Sequence, residues 1–292
     1  MHPGVLSATL AYVLWGLFPL YFRPLAAVDA FDVVVHRIVW SAAFLLIVLA
    51  VLGRWGWLRD VLRRPKVLGA FAASALLLSG NWLVYVWAVA NGHVVEASLG
   101  YFITPLVNVM FGSVLLHERL RPVQWTAVAL AAAGVLWLAV QGGRLPWVAL
   151  ALAATFGTYG LLRKTAALGA LEGLALETML LAPIALAALA GAAWRADGAL
   201  FPPAADGLAR ALLIGLGPVT VVPLLLFAAG ARRIRMATLG LLQYLAPSLQ
   251  LALGIALFHE AFPAARAVGF GFIWAALAVY SVDGWRAGRQ PA

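Results

Sequence analysis

The chain has 292 residues, of which 64% are hydrophobic and only 11% charged, a balance far outside that of soluble globular domains. The formal net charge of +9 does not indicate a nucleic-acid partner, because the basic residues lie between long apolar runs, where they orient a membrane protein. The absence of cysteine excludes disulfides and thiolate metal sites, and we expect neither a metal nor a cofactor.

Ten apolar runs of about 18 to 24 residues are each long enough for a helix to cross a hydrocarbon core of roughly 30 Å. They cover residues 4–22, 33–52, 67–90, 94–116, 123–141, 145–162, 171–193, 208–230, 236–258 and 264–282. The predicted fold class is therefore an all-α membrane protein with ten transmembrane helices.

Ten spans place alternate loops on alternate faces of the membrane. The face that holds both termini carries fourteen of the twenty basic residues, namely Arg54, Arg59, Arg63, Arg64, Lys66, Arg119, Arg121, Arg163, Lys164, Arg232, Arg233, Arg235, Arg286 and Arg289. The opposite face carries Arg23, Arg37, Arg144, Arg195, Arg210 and Arg266. Because cytoplasmic loops are enriched in Lys and Arg, both termini are predicted to be cytoplasmic.

The first half of the chain is repeated in the second half. Residues 87–118 correspond to residues 227–260 at an offset of 140, which becomes 142 after a two-residue insertion. A period near half the chain length indicates an internal duplication. The boundary near Arg144 leaves five spans on each side, and an odd number forces the second copy into the opposite orientation. We therefore predict two inverted five-helix repeats, at residues 1–144 and 145–292, as in many secondary transporters.

The first span carries Tyr12, Trp15, Gly16 and Pro19 on one helical face. In the second half, Phe156 stands at the position that matches Trp15. Small and aromatic residues are ordinary in such spans, so this face favours a packing seam with a proline kink over a substrate contact.

The second span opens with His36 and Arg37, and at an offset of 141 His36 corresponds to Glu177. Ionisable residues inside a span are costly and usually face the bundle or a wet cavity, which suggests gating or coupling groups. The alternative is that they reach the lipid headgroups, as Arg37 easily can. Because His36 titrates near neutral pH and Glu177 can do so after burial, the two are also candidate proton carriers, one in each half.

The third span carries Asn81, Trp82 and Tyr85. Asn81 and Tyr85 are four residues apart and share a helical face. An asparagine in hydrocarbon needs a hydrogen-bond partner, so these residues either join helices or form a polar and aromatic wall for a substrate.

The fourth and ninth spans each carry a polar stripe with a central proline. The stripe residues are Tyr101, Thr104, Pro105, Asn108 and Gly112 in one span and Gly240, Gln243, Tyr244, Pro247, Gln250 and Gly254 in the other. Each proline frees a backbone carbonyl at membrane depth, where neighbouring side chains, water or a ligand must satisfy it. The stripes favour a shared cavity, and the alternative is two kinked helices that satisfy each other.

Glu118 and Glu260 end these two spans, each beside a histidine. We expect both carboxylates to tie a helix end to the following loop and not to bind cargo. The fifth and tenth spans are almost purely apolar and are expected to be peripheral.

Four segments resemble a known family: Val35 to Ser41, Gly80 to Trp82, Glu96 to Pro105, and Gln243 to Pro247. They are similar to the drug/metabolite transporter superfamily and, within it, to EamA-type permeases of the RarD subfamily. The resemblance covers almost the whole chain. It implies a bacterial inner-membrane permease with ten helices, cytoplasmic termini and a central cavity formed by helices one to four and six to nine.

The function predicted is a secondary transporter of small organic metabolites or amphipathic compounds, expected to work outward by alternating access. The candidate substrate-binding residues are Asn81, Trp82, Tyr85, Tyr101, Asn108, Gln243, Tyr244 and Gln250. The expected partners are a small-molecule substrate, the lipid bilayer and a coupling proton, with no nucleic acid, and either a monomer or a homodimer is compatible with the sequence.

Two other functions compete with transport. A lipid or lipid-linked-precursor flippase is the alternative, because amphipathic cargo can use the same cavity. A membrane-embedded enzyme is much less favoured, because none of the eleven acidic residues is paired with another inside a span, and we predict no catalytic residue. ATP is not expected to drive transport, since the sequence has no phosphate-binding loop.

Overall fold

The computed structural model describes residues 2–90, 94–141, 147–195, 200–258 and 264–287. Over these ranges the chain is helical, with one 3-10 turn at Arg23–Leu25 and no strand. The helices are α1 (Pro3–Gly16), α2 (Phe18–Phe22), α3 (Ala30–Leu52), α4 (Gly56–Leu62), α5 (Pro65–Ala90), α6 (Val94–Val114), α7 (Pro122–Gln141), α8 (Trp147–Thr165), α9 (Ala170–Arg195), α10 (Gly207–Ala231), α11 (Met236–Gln243), α12 (Leu245–Phe258) and α13 (Ala264–Ala287).

Helix length and composition agree with a membrane environment. Seven helical stretches of the described residues are long and apolar enough to cross a membrane, and shorter apolar helices cover Leu99–Val114 and Ala267–Asp283. The predicted class, an all-α multi-pass membrane protein, is therefore confirmed. The count of ten spans and their inverted arrangement remain predictions.

Two of the predicted spans are interrupted helices, and both breaks are near a proline. α1 ends at Gly16, and Pro19 lacks the N–H that would bond the carbonyl of Trp15. α11 ends at Gln243, four residues before Pro247, so the single helix predicted over 236–258 is two helices. By contrast, α6 continues as one helix through Pro105, and the kink expected there remains a prediction.

The most extensive helix contacts join the two halves of the chain. α7 packs on α13, α6 on both α8 and α11, and α3 on both α9 and α10, while α10 also packs on α1. Glycine permits several of these close approaches: a Cβ on Gly217 of α10 would lie 2.5 Å from the carbonyl oxygen of Trp40 in α3, and one on Gly240 of α11 would lie 2.7 Å from that of Pro105 in α6. The halves are therefore interleaved and share their cores.

Glu118 has a different role from the one predicted. Its carboxylate accepts hydrogen bonds from the backbone N–H groups of Met236 (2.9 Å) and Ala237 (3.4 Å), at the positive N-terminus of α11, and lies 3.4 Å from the Lys164 ammonium. The carboxylate thus caps a helix of the other half and does not tie its own helix to the next loop. Glu260, its predicted counterpart, lies outside the described residues.

Candidate functional site

A cavity of about 110 Å³ lies where helices of the two halves meet. By this measure one water needs roughly 10–15 Å³, so the cavity has room for several waters or a small organic group. Its walls come from α1, α2, α5 and α6 of the first half and from α8, α10, α11 and α12 of the second. We call it the large cavity, and it is lined by Tyr12, Trp15, Phe18, Leu78, Asn81, Trp82, Tyr101, Phe156, Thr220, Leu224, Gln243, Ala246, Pro247 and Gln250.

An aromatic cluster forms one wall of the large cavity. Trp15 packs against Tyr12, Phe156 and Phe227, with ring centroids 5.6 to 5.9 Å apart. The buried hydroxyl of Tyr12 donates to the backbone carbonyl of Leu239, 3.1 Å away in α11. Residues predicted to form a packing seam therefore do pack together, and Trp15 and Phe156 also face the cavity.

The amide side chains at the large cavity are bonded across the two halves. Asn81 donates to the Leu152 carbonyl (3.0 Å) and to the Thr155 hydroxyl (2.9 Å). Gln250 donates to the carbonyl of Trp15 (3.0 Å), which lacks its regular helical N–H partner because residue 19 is proline. These bonds show the side chains acting as links between helices.

Three of the predicted substrate-binding residues support the cavity without lining it. Asn108 is buried and donates to Gln243 at 3.2 Å, so it orients a residue that does line the cavity. Tyr85 packs between the edges of Trp82 and Tyr101. Tyr244 is buried, and its hydroxyl donates to the carbonyl of Phe102 at 3.1 Å.

The other five predicted residues do line the large cavity: Asn81, Trp82, Tyr101, Gln243 and Gln250. Their contact with a substrate remains a prediction. Sequence reasoning missed Thr220, whose one signal was its place as the lone hydroxyl in the apolar helix α10. Leu78, Leu224 and Ala246 gave no signal, because aliphatic residues are ordinary in every span.

A second cavity, of about 20 Å³, adjoins the first and shares Leu78, Thr220 and Leu224 with it. We call it the small cavity, and its remaining lining residues are Arg37, Ile38, Ser41, Leu174, Glu177, Thr178, Leu181 and Val221. The Arg37 guanidinium lies over the ring of Trp82, 4.2 Å from its centroid, and so stands between the two cavities. A cation over an indole face is stabilised by the ring quadrupole.

Glu177 at the small cavity belongs to a buried ion pair. Its carboxylate accepts from Ser74 (2.6 Å), Arg163 (3.4 Å) and Tyr159 (3.5 Å). Arg163 was predicted to be a cytoplasmic loop residue, but it lies in the last turn of α8 with 1% of its side chain exposed. The prediction that Arg163 lies in a loop is therefore wrong. Its guanidinium lies inside the helix bundle because it pairs there with the Glu177 carboxylate.

His36 lines neither cavity. Its ring stacks on Phe201, with centroids 5.2 Å apart, and its Nδ1 accepts a hydrogen bond from Trp40 at 3.3 Å. The three predicted gating or coupling residues therefore occupy different surroundings: Arg37 and Glu177 face the small cavity, whereas His36 packs beneath the segment that precedes α10.

Apolar helices from both halves that enclose a central cavity, with six aromatic residues among the fourteen that line it, are typical of multi-pass membrane transporters. Residues 2–140 match the EamA-like transporter family. A transporter of Pseudomonas aeruginosa described as uncharacterized is 51% identical, over 99% of this chain and 97% of its own length. RarD proteins of Streptomyces exfoliatus and Escherichia coli are 46% and 42% identical, over 98% and 96% of this chain and 90% and 94% of their own lengths.

The chain therefore belongs to the RarD family of EamA-like transporters, within the drug/metabolite transporter superfamily. A crystal structure of another protein, 22% identical, has a TM-score of 0.70 and covers 97% of this chain and 98% of its own. That likeness supports the fold.

Proposed function

We propose that the chain is a secondary transporter that moves small organic metabolites or amphipathic compounds outward through the large cavity. The observation that carries this proposal is the position of the cavity, which takes its walls from both halves of the chain. A site shared by two related halves can be exposed to either side when the halves exchange conformations.

Alternating access is supported by the matching of lining elements. The first, third and fourth predicted spans line the large cavity, and so do the sixth, eighth and ninth, which are their counterparts in the predicted inverted repeat. α7 and α13, the counterparts predicted to be peripheral, pack on each other and contribute no lining residue among those described.

We further propose that the protein lies in the bacterial inner membrane with both termini cytoplasmic. Arg163 and Arg37 are buried, so neither belongs in a count of loop charges. Without them the fourteen basic residues against six become thirteen against five, and the asymmetry persists. A reporter fused after Gln290 should read as cytoplasmic, and one inserted in the 195–210 segment as periplasmic. The reverse pattern would contradict both the topology and the inverted repeat.

Transport itself is tested by filling the cavity. Ala246 lines the cavity, so Ala246→Phe places a ring inside it, whereas Ala133→Phe adds the same ring to an exposed position of α7. In proteoliposomes preloaded with labelled organic acids, amino acids and amphipathic drugs, we expect release of at least one compound by the wild type and by Ala133→Phe. Ala246→Phe should release it at the rate of protein-free liposomes.

Two results would count against the proposal. Equal release by Ala246→Phe and Ala133→Phe, at equal amounts of folded protein, would place the path elsewhere. Movement of a fluorescent phospholipid between leaflets, with no release of soluble compounds, would indicate the flippase alternative.

A further inference from the structure

The small cavity gathers polar atoms that have no hydrogen-bond partner among the described residues. They are Arg37 Nε, Ser41 Oγ and Thr220 Oγ1, and all three are buried. Serines elsewhere in the chain behave differently: the hydroxyls of Ser79 and Ser113 donate to the carbonyl four residues earlier. Buried hydroxyls ordinarily find such a partner, so three unpaired donors around one small space indicate a missing acceptor.

The charges around this space do not balance within the described residues. Two guanidinium groups, Arg37 and Arg163, are buried here with one carboxylate, Glu177. Arg163 bonds that carboxylate, while Arg37 has its contact with the ring of Trp82 and no described carboxylate within ion-pair distance. A buried cation without an anion is costly, and an anionic ligand would remove that cost.

The size and position of the small cavity define the kind of anion. Its volume of about 20 Å³ has room for one or two water-sized groups, which suits the two oxygens of a carboxylate better than the four of a phosphate. Leu78, Thr220 and Leu224 line both cavities, so a molecule with its head in the small cavity can extend its body into the large one. Aromatic walls there suit an apolar or aromatic body.

We infer that the small cavity is the binding subsite for the carboxylate of an amphipathic organic acid whose apolar body occupies the large cavity. Arg37 supplies the charge, and the hydroxyls of Ser41 and Thr220 donate to the carboxylate oxygens. The inference rests on the proposed function, since it names the substrate class that would use the same path. A water molecule in the small cavity can satisfy the hydroxyls, but it leaves the guanidinium charge unbalanced.

Matched ligands test the inference through binding to the purified protein in nanodiscs. The probes are 3-phenylpropionate and 3-phenylpropionamide, which share a body and differ in charge, with phenyl phosphate as the test of a larger anion. Titration calorimetry at pH 7 should give a Kd for the acid at least about tenfold lower than for the amide, because charge-assisted hydrogen bonds are the strong ones. Phenyl phosphate should bind more weakly than the acid.

Variants assign that preference to the small cavity. Arg37→Gln should bring the ratio of the two Kd values close to one, and Ser41→Ala and Thr220→Val should each lower it severalfold while leaving the charge in place. Thr178→Val is the matched control: Thr178 lines the same cavity, but its hydroxyl already donates to the Leu174 carbonyl at 2.7 Å, so the ratio should not change.

The inference is overturned if the acid does not bind, if the amide binds equally well, or if phenyl phosphate binds more tightly than the acid. A ratio of amide Kd to acid Kd that is unchanged in Ser41→Ala and Thr220→Val would also overturn it, even if Arg37→Gln does not fold.

Binding and transport are separate readouts. An acid that binds but is not moved in proteoliposomes would contradict the proposed function alone, and transport restricted to neutral compounds would contradict the subsite alone.

Discussion

The two cavities share one wall, and the amide and hydroxyl side chains that line them differ in whether they have a partner. At the large cavity, the amide groups of Asn81 and Gln250 are bonded to backbone carbonyls of neighbouring helices. By contrast, the hydroxyls of Ser41, at the small cavity, and of Thr220, which lines both cavities, have no partner among the described residues. The amides that looked most functional in the sequence therefore hold helices together, whereas unused hydrogen-bonding capacity lies on hydroxyls around the small cavity.

This difference follows from what each polar group must satisfy at membrane depth. Prolines expose carbonyls, and long amide side chains can reach them from another helix, as Gln250 reaches Trp15. The hydroxyls of Ser41 and Thr220 are on shorter side chains, and neither has a partner among the described residues. Polarity in a span thus does not by itself distinguish a link between helices from a ligand site.

The largest effect is expected at the ion pair behind the small cavity. Arg163→Met leaves the Glu177 carboxylate buried without its cation, and breaking a buried pair in this way costs about 3–5 kcal/mol. The free energy of unfolding in a dodecyl sulfate titration should fall accordingly. Arg54→Ala is the control: Arg54 pairs with Glu172, but 56% of its side chain is exposed, so its loss should cost about 0–1 kcal/mol. Similar losses of stability in both variants would mean that the buried ion pair stabilises the protein no more than the exposed one.

Arg163 also shows where sequence reasoning stops. Hydropathy finds the helices, because every predicted run is occupied by helix over most of its length. A basic residue at the end of a run is assigned to the interface by default. Arg163 is buried because it pairs with Glu177 on the next helix, α9. The angle at which α8 and α9 pack cannot be predicted from the sequence of either helix alone.

The polar stripes of the fourth and ninth spans show the same limit of prediction from sequence. Helical spacing correctly places Asn108 on the face of α6 that meets α11, since Asn108 bonds Gln243. Spacing does not tell which residue of that face is covered by the neighbouring helix and which is left facing a cavity. Thr220 illustrates the converse, because its lining role depends on α3, α5 and α10 meeting at one point.

The second prediction tests the amides as links between helices. Asn108→Ala removes the donor to Gln243, and Gln250→Ala removes the side-chain donor to the Trp15 carbonyl, so each should lower the free energy of unfolding by about 1–3 kcal/mol. Ser7→Ala, at an exposed hydroxyl of α1, should change it by less than about 0.5 kcal/mol. Unchanged stability combined with loss of transport would instead make both amides substrate contacts and break the comparison.

The third prediction concerns proton coupling, which would be a second role for the small cavity because Glu177 lines it. If His36 and Glu177 carry protons, collapsing the pH gradient with an ionophore should slow uptake of a transported compound severalfold in wild-type vesicles. His36→Gln and Glu177→Gln should both flatten this dependence when rates are normalised to folded protein. Trp40→Phe is the matched control, because it removes the hydrogen bond to His36 and keeps the imidazole. Wild-type uptake that does not depend on the pH gradient would exclude proton coupling, and it would not affect the roles proposed for the two cavities.

The smallest effect is the sharpest test of the comparison, because the sign differs between two threonines that line the same cavity. Thr220→Val replaces an unpaired buried hydroxyl with a methyl group of equal size, so without ligand it should leave stability unchanged or raise it by about 1 kcal/mol. Thr178→Val removes a hydroxyl that donates to Leu174 and should lower stability by about 0.5–1.5 kcal/mol. Unfolding of the two variants in parallel gives the difference directly. A loss of stability in Thr220→Val as large as that in Thr178→Val would mean that the Thr220 hydroxyl has a partner in the free protein, and the small cavity would then have no unused donor there to offer a ligand.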